Sequence, residues 1–111
     1  MTEKAVYFLN KVVDARNNII VTGGSGSGKT TLLSVLTSFI DGNQRVIVIE
    51  DAAELRVQVR NAVRMEVPRQ QSMEQKIRTA DLVRNALRMR PDRIIVGECR
   101  GEESLDMIMA M

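Results

Sequence analysis

"GGSGSGKT", residues 23–30, stands between two apolar runs, "NIIVT" at 18–22 and "TLLSVL" at 31–36. A turn between hydrophobic segments needs one or two glycines, and this one has four, with two serines. The excess signals that something approaches the backbone closely. Gly23, Gly28, Lys29 and Thr30 complete the pattern Gly-x-x-x-x-Gly-Lys-Thr, the Walker A loop. The pattern demands a strand before it and a helix after it. "NIIVT" reads as a short buried strand, and residues 29–40 read as a helix. The competing reading is a flexible glycine turn. At average composition the full match arises by chance in well under roughly one in a hundred chains of this size.

Such a loop is a polyphosphate cradle. Backbone N–H groups of Gly23, Gly24, Ser25, Gly26, Ser27 and Gly28 point inward and join the helix N-terminus in an anion site. Lys29 reaches the β- and γ-phosphates, the Thr30 hydroxyl binds Mg²⁺, and Thr31 completes the nucleotide-binding set.

The rest of the chain is consistent with one α/β domain. Its 111 residues are 44% hydrophobic and 27% charged, ordinary for a globular protein. Tyr7, Phe8 and Phe39 are the only aromatics, so the core is aliphatic and no base-stacking platform is available. The net charge is +2 and the arginines are interspersed with carboxylates, which disfavours a nucleic-acid surface. Cys99 is the only cysteine, so no internal disulfide forms. No apolar run reaches the roughly 18 residues that span a bilayer.

Helical spacing marks "EKAVYFLNKVVDA", 3–15, with Val6, Leu9, Val12 and Val13 on one stripe. "DGN", 41–43, is a turn, and "RVIVIE", 45–50, is a buried strand. "LRVQV", 55–59, and "VRMEV", 63–67, alternate apolar and polar and read as two half-exposed strands in a hairpin around "RNA". "RQQSMEQ", 69–75, is a polar loop with Ser72 and Gln75 at capping-box spacing. A helix runs through Leu82, Val83, Ala86, Leu87 and Met89 until Pro91 stops it, and "RIIV", 93–96, is another buried strand. "GEESLDMIMAM", 101–111, opens a helix with Leu105, Ile108 and Met109 on one face and ends without a cap, as a piece of a longer chain would. This order predicts a mostly parallel sheet flanked by helices.

Hydrolysis needs groups that hold metal and orient water. Two acidic sites follow buried strands, at the strand ends where open α/β sheets bind ligands: Glu50-Asp51 and Glu98. Acids at strand ends are also common as solvated loop residues. Arg56, Arg60 and Arg64 can be read either as charge near the phosphates or as solvated strand residues. A GTPase would carry Asn-Lys-x-Asp late in the chain; "NKVVD", 10–14, has the wrong spacing and precedes the loop. A small-molecule kinase would need a lid and a substrate site, and neither is evident.

Joined to the loop, "VIVIEDAAEL", 46–55, and "DLVRNALRMRPDRIIVGE", 81–98, resemble the secretion ATPases of type II and type IV secretion and type IV pili. The resemblance covers nearly the whole chain and is strongest to the CpaF-type branch that drives Tad pili. Members are similar in having a Walker A loop, an acidic box and a Gly-Glu in place of the usual Asp-Glu of Walker B. It implies the RecA-like P-loop core of a hexameric ATPase, C-terminally incomplete, as a single domain over 1–111. It implies ATP and Mg²⁺ as ligands, Glu98 as the Walker B glutamate holding Mg²⁺ through water, and Glu50 as general base. Lys29 joins them in the catalytic set, and Asp51 and Glu54 complete the acidic box. It further implies a homo-oligomer in the cytoplasm, peripheral at the inner membrane through secretion or pilus platform proteins, with no direct nucleic acid. Ser25 departs from the family's usual Thr, and Cys99 stands where Val is common. The chain has no histidine, although the family often places one near Asn61-Ala62. The family's His box and N-terminal domain are missing from the sequence. The rival readings are a RecA-like nucleic-acid translocating ATPase and a nucleotide-binding module without turnover.

Overall fold

A computed structural model of the chain describes residues 1–72, 74, 76–101 and 103–111. Its elements are α1 (Glu3–Asp14), α2 (Lys29–Ser38), β1 (Val46–Glu50), β2 (Ala62–Glu66), α3 (Thr79–Leu87), β3 (Arg93–Val96) and α4 (Glu103–Ala110). The three strands form one parallel sheet in the order β2-β1-β3.

β1 decides the architecture because both its faces are covered. Every residue of "VIVIE" is buried, as expected of a central parallel strand, whose side chains alternate between two helical layers. Val46 and Val48 pack with Leu55, Val59 and Ile95, and Leu33 of α2 and Ile40 just beyond it lie against them. Ile47 and Ile49 point the other way, onto Leu82, Val83 and Ala86 of α3. Each aliphatic side chain so buried contributes roughly 1.5–3 kcal/mol. The layers are therefore α2, sheet, α3, with α4 outside α3 and α1 beside α2.

Local chemistry sets the helix ends. The Thr2 hydroxyl accepts from Ala5 N–H at 3.2 Å and caps α1. The Asp81 carboxylate accepts from Arg78 N–H at 2.9 Å and does the same for α3. At the amino edge of the sheet Arg45 is a knot: its N–H donates to Asp92 at 2.7 Å and its Nε to the Met89 carbonyl at 2.8 Å. This fixes the start of β1 against the turn that feeds β3.

Four sequence expectations need correction or restriction. Residues 18–22 lie in no sheet, and Ile20 is 61% exposed. Asn18 and Ile19 instead line a cavity of about 520 Å³ that Arg93–Val96 also line. The hairpin is absent too. β2 runs parallel to β1, with Val46 opposite Ala62 and Glu50 opposite Glu66. A parallel partner needs a crossover, and residues 51–61 supply it as irregular chain. The alternation in 55–59 is nonetheless real, because Leu55 and Val59 are buried while Arg56 and Arg60 are exposed. Third, Leu105, Ile108 and Met109 on α4 face solvent. α4 meets α3 through its opposite side, where Asp106 receives Arg84 Nε and Nη2 at 3.0 and 3.1 Å. Of the capping box at Ser72 and Gln75, Gln75 lies outside the described residues.

Candidate nucleotide site

The glycine-rich loop enters α2 through Gly28, the N-cap, at φ 90°. An L-residue is strained in this left-handed region, and glycine is not. Gly26, at φ 72°, makes the preceding turn in the same way. Ser27 Oγ donates to the Gly24 carbonyl at 2.7 Å, which pins the loop against itself. Lys29 folds back across it, and Nζ reaches the same carbonyl at 2.5 Å. Among the described residues Lys29 is in no ion pair. Its ammonium rests on a neutral backbone oxygen, a weaker partner than a charged oxygen would be. Gly23 to Gly28, Thr30 and Thr31 are exposed around it.

The acidic residues emerge from the carboxyl ends of neighbouring parallel strands. Glu50 closes β1, and Glu98 follows β3 by two residues. The ladder continues one step past β3, since Gly97 N–H donates to the Ile49 carbonyl at 2.9 Å. Strand alternation puts Glu50 on the Val46–Val48 face, the side on which Leu33 and Ile40 pack. The P-loop helix and Glu50 thus share one side of the sheet.

Glu50 and Glu98 have different surroundings. The Glu50 side chain is 6% exposed. A buried carboxylate is costly unless its oxygens are satisfied. Here Oε1 accepts from Glu54 N–H at 3.1 Å and Leu55 N–H at 2.9 Å, and Oε2 faces Arg64 Nη1 at 3.5 Å. Glu98 is 48% exposed and receives Arg100 Nη2 at 2.6 Å. That hydrogen bond, followed by the Glu98 charge itself, holds the Arg100 guanidinium above its ordinary range, and the charge of Asp51 adds to it. Asp51 also accepts from the Thr79 hydroxyl at 3.4 Å. Glu98 and Asp51, from the loops after β3 and β1, thus both act on Arg100, while Glu50 closes β1 next to Asp51 in sequence. Glu54 contributes its backbone N–H to Glu50, while its side chain is exposed.

Next to Glu98, partial burial and then the Glu103 charge raise the Cys99 thiol above its ordinary value, which disfavours a reactive thiolate, but the residue is exposed and not the small core residue that the sequence suggests. Glu103 is held low, chiefly by the Arg100 N–H at 2.6 Å.

Sequence reasoning missed one contributor, Arg100, and left another, Arg64, undistinguished from its neighbours. Arg100 was legible only as one arginine among many. Arg64 stood among three candidates, and what separates it from Arg56 and Arg60 is register: it lies on β2 opposite Val48, on the face that carries Glu50.

Fold and loop together define an α/β core with a P-loop-type glycine turn before α2 and acidic residues at adjacent strand ends. The family model for type II/IV secretion system proteins matches residues 1–111, and the chain belongs to that family. An uncharacterized protein of Methanocaldococcus jannaschii is 48% identical over 96 residues, 85% of this chain and 13% of its own length. A putative conjugal transfer protein of Mycobacterium tuberculosis is 43% identical over 90% of this chain and 29% of its own. The type IV secretion system protein VirB11 of Bartonella henselae is 42% identical over 86% and 27%. The crystal structure of the VirB11 ATPase from the Brucella suis type IV secretion system, in complex with sulphate, superposes with a TM-score of 0.85 at 38% identity. It covers 96% of this chain, which in turn spans 30% of that one. The chain thus spans less than a third of each of these relatives. No helix among the described residues is long and apolar enough to cross a membrane.

Proposed function

We propose that this chain binds Mg·ATP in the loop of residues 23–31 and hydrolyses it as the core of a motor for protein secretion or pilus assembly. The observation that carries the reading is the loop itself: an exposed glycine-rich turn, with the Lys29 ammonium bonded to the Gly24 carbonyl and in no ion pair among the described residues. A triphosphate offers that ammonium charged oxygens instead, and the lysine can turn to them without breaking an ion pair. The Brucella suis relative's complex with sulphate, a tetrahedral anion like phosphate, is in keeping with this.

The residues present fit a Mg²⁺ that arrives with the nucleotide. Among the described residues no group of three or more His, Cys, Asp or Glu gathers to hold a metal alone. Mg²⁺ keeps waters and takes one or two protein groups beside phosphate oxygens, which matches the Thr30 hydroxyl and Glu98. When bound, the ion neutralises charge on the β- and γ-phosphates. Lys29 holds the same phosphates from the loop side. Glu98 orients water through its exposed carboxylate, which requires Arg100 to move off it. Glu50 Oε2 accepts the proton of the attacking water, since Oε1 is occupied by two backbone N–H groups. Asp51 and Glu54 complete the acidic box.

The intact motor is a homo-oligomer, a hexamer by family analogy, cytoplasmic and docked on inner-membrane platform proteins, and of the CpaF-type branch. In this reading the chain is one RecA-like core domain, and further segments supply arginines and a His box to the site. Phosphate release from Mg·ATP, followed against protein concentration, tests it. A rate per molecule that rises with concentration supports a site completed between copies. A flat rate near zero with ATP still bound contradicts hydrolysis by this chain on its own and reduces it to a nucleotide-binding module.

A further inference from the structure

Residues from the two strands beside β1 flank the carboxylate at its end. β1 places Glu50, the residue after β3 is Gly97, and β2 places Arg64. A Cβ built on Gly97 would sit 3.0 Å from Glu50 Cγ and 3.5 Å from Oε1. That is tighter than ordinary van der Waals contact, so the glycine is the floor on which Glu50 lies. The side chain the strand omits at 97 is replaced in space by one from the neighbouring strand. On the opposite side Arg64 bridges two groups: Nη2 donates to the Leu55 carbonyl at 2.8 Å, and Nη1 stands 3.5 Å from Glu50 Oε2. The Leu55 N–H donates to Oε1 of the same carboxylate at 2.9 Å. Arg64, Leu55 and Glu50 thus form a closed ring of contacts around the turn at 50–55.

The two distances have different meanings. The bond to Leu55 is short and anchors the guanidinium, while the approach to Oε2 is a charge contact at the limit of hydrogen bonding. Arg64 therefore has a fixed seat that does not depend on Glu50. From it the arginine faces the one Glu50 oxygen that carries no backbone donor. We propose that Arg64 is a positioning residue: seated on the Leu55 carbonyl, it aims Glu50 Oε2 and holds the 50–55 turn closed over it. This rests on the reading of Glu50 as general base. It differs from both roles that the sequence allows for this arginine, phosphate charge and solvated strand residue.

The test has two arms. In nucleotide-free protein, hydrogen exchange at the Glu54 and Leu55 amides is compared between wild type and Arg64→Gln. The proposal predicts that protection falls at these two amides while β1 keeps its own. Unchanged protection overturns it. In protein that releases phosphate, Arg64→Gln lowers kcat about tenfold to a hundredfold, the scale of a misplaced catalytic group. KM for Mg·ATP stays within about threefold, and Arg64→Lys, which keeps a donor and a charge, recovers part of kcat. A raised KM at unchanged kcat overturns the proposal in favour of phosphate contact. Wild-type values for both parameters overturn it in favour of a solvated residue. Glu50→Gln runs alongside: if it retains wild-type kcat, the general-base reading fails and this proposal falls with it. If Glu50→Gln is dead and Arg64→Gln is not, the proposal alone fails.

Discussion

Lys29→Ala lowers the affinity for Mg·ATP about a hundredfold or more and leaves the thermal midpoint unchanged. Each hydrogen bond from an ammonium to a charged oxygen contributes roughly 1.5–3 kcal/mol. Contacts to two phosphates together exceed the ~2.7 kcal/mol that a hundredfold represents. The fold does not depend on the lysine in the same way. Its Nζ bonds one exposed carbonyl, Gly24, which can turn to water. Substitutions of that kind stay within about 0.5 kcal/mol of stability. Calorimetric titration with Mg·ATP and a melting curve on the same sample separate the two effects. Unchanged affinity would sink the assignment of the loop. A collapsed midpoint would show that the lysine braces the fold and that any affinity loss is secondary.

Glu98→Gln keeps ATP binding and abolishes turnover. The glutamine preserves size and can still accept from Arg100 through its amide oxygen, so the 2.6 Å contact has a neutral equivalent. What disappears is the negative charge that faces metal-bound water. Loss of a group that orients or activates water costs about 10²–10⁴ in rate. The measurement is phosphate release and equilibrium nucleotide binding on one preparation. Turnover at the wild-type rate would remove Glu98 from the chemistry. Loss of binding together with turnover would instead make it part of the nucleotide cradle.

The sequence was most informative where a segment's structure depends on its own residues. "RIIV" at 93–96 became β3 with the same bounds, and "RVIVIE" lost only its first residue. Both are aliphatic runs that no amphipathic element could bury. It was less informative where structure depends on a partner. Alternation in 55–59 reports which side chains point inward, and Leu55 and Val59 do. It says nothing about whether an edge lies alongside, so a crossover was read as a hairpin strand. "NIIVT" has strand composition, yet it joins no ladder. On α4 the helix and its apolar stripe at Leu105, Ile108 and Met109 were legible, but not that the stripe is exposed and that α3 is met at the Arg84–Asp106 contact. The site divides along the same line. Gly23 through Thr31 are contiguous, so a motif could name them. Glu50 and Glu98 followed from strand ends. The ring of Glu50, Leu55 and Arg64 appears only once β2 is known to be parallel to β1 and in which register.

The account stands or falls on whether residues 23–31 cradle a triphosphate. The most direct measurement is to follow backbone amide resonances of the labelled chain as Mg·ATP is added. The account predicts saturable shifts concentrated at Gly24 to Thr31, where N–H groups gain phosphate oxygens, with smaller changes at Glu98 and Arg100. Amides of the loop that stay still at saturating nucleotide, while resonances elsewhere move, would contradict it.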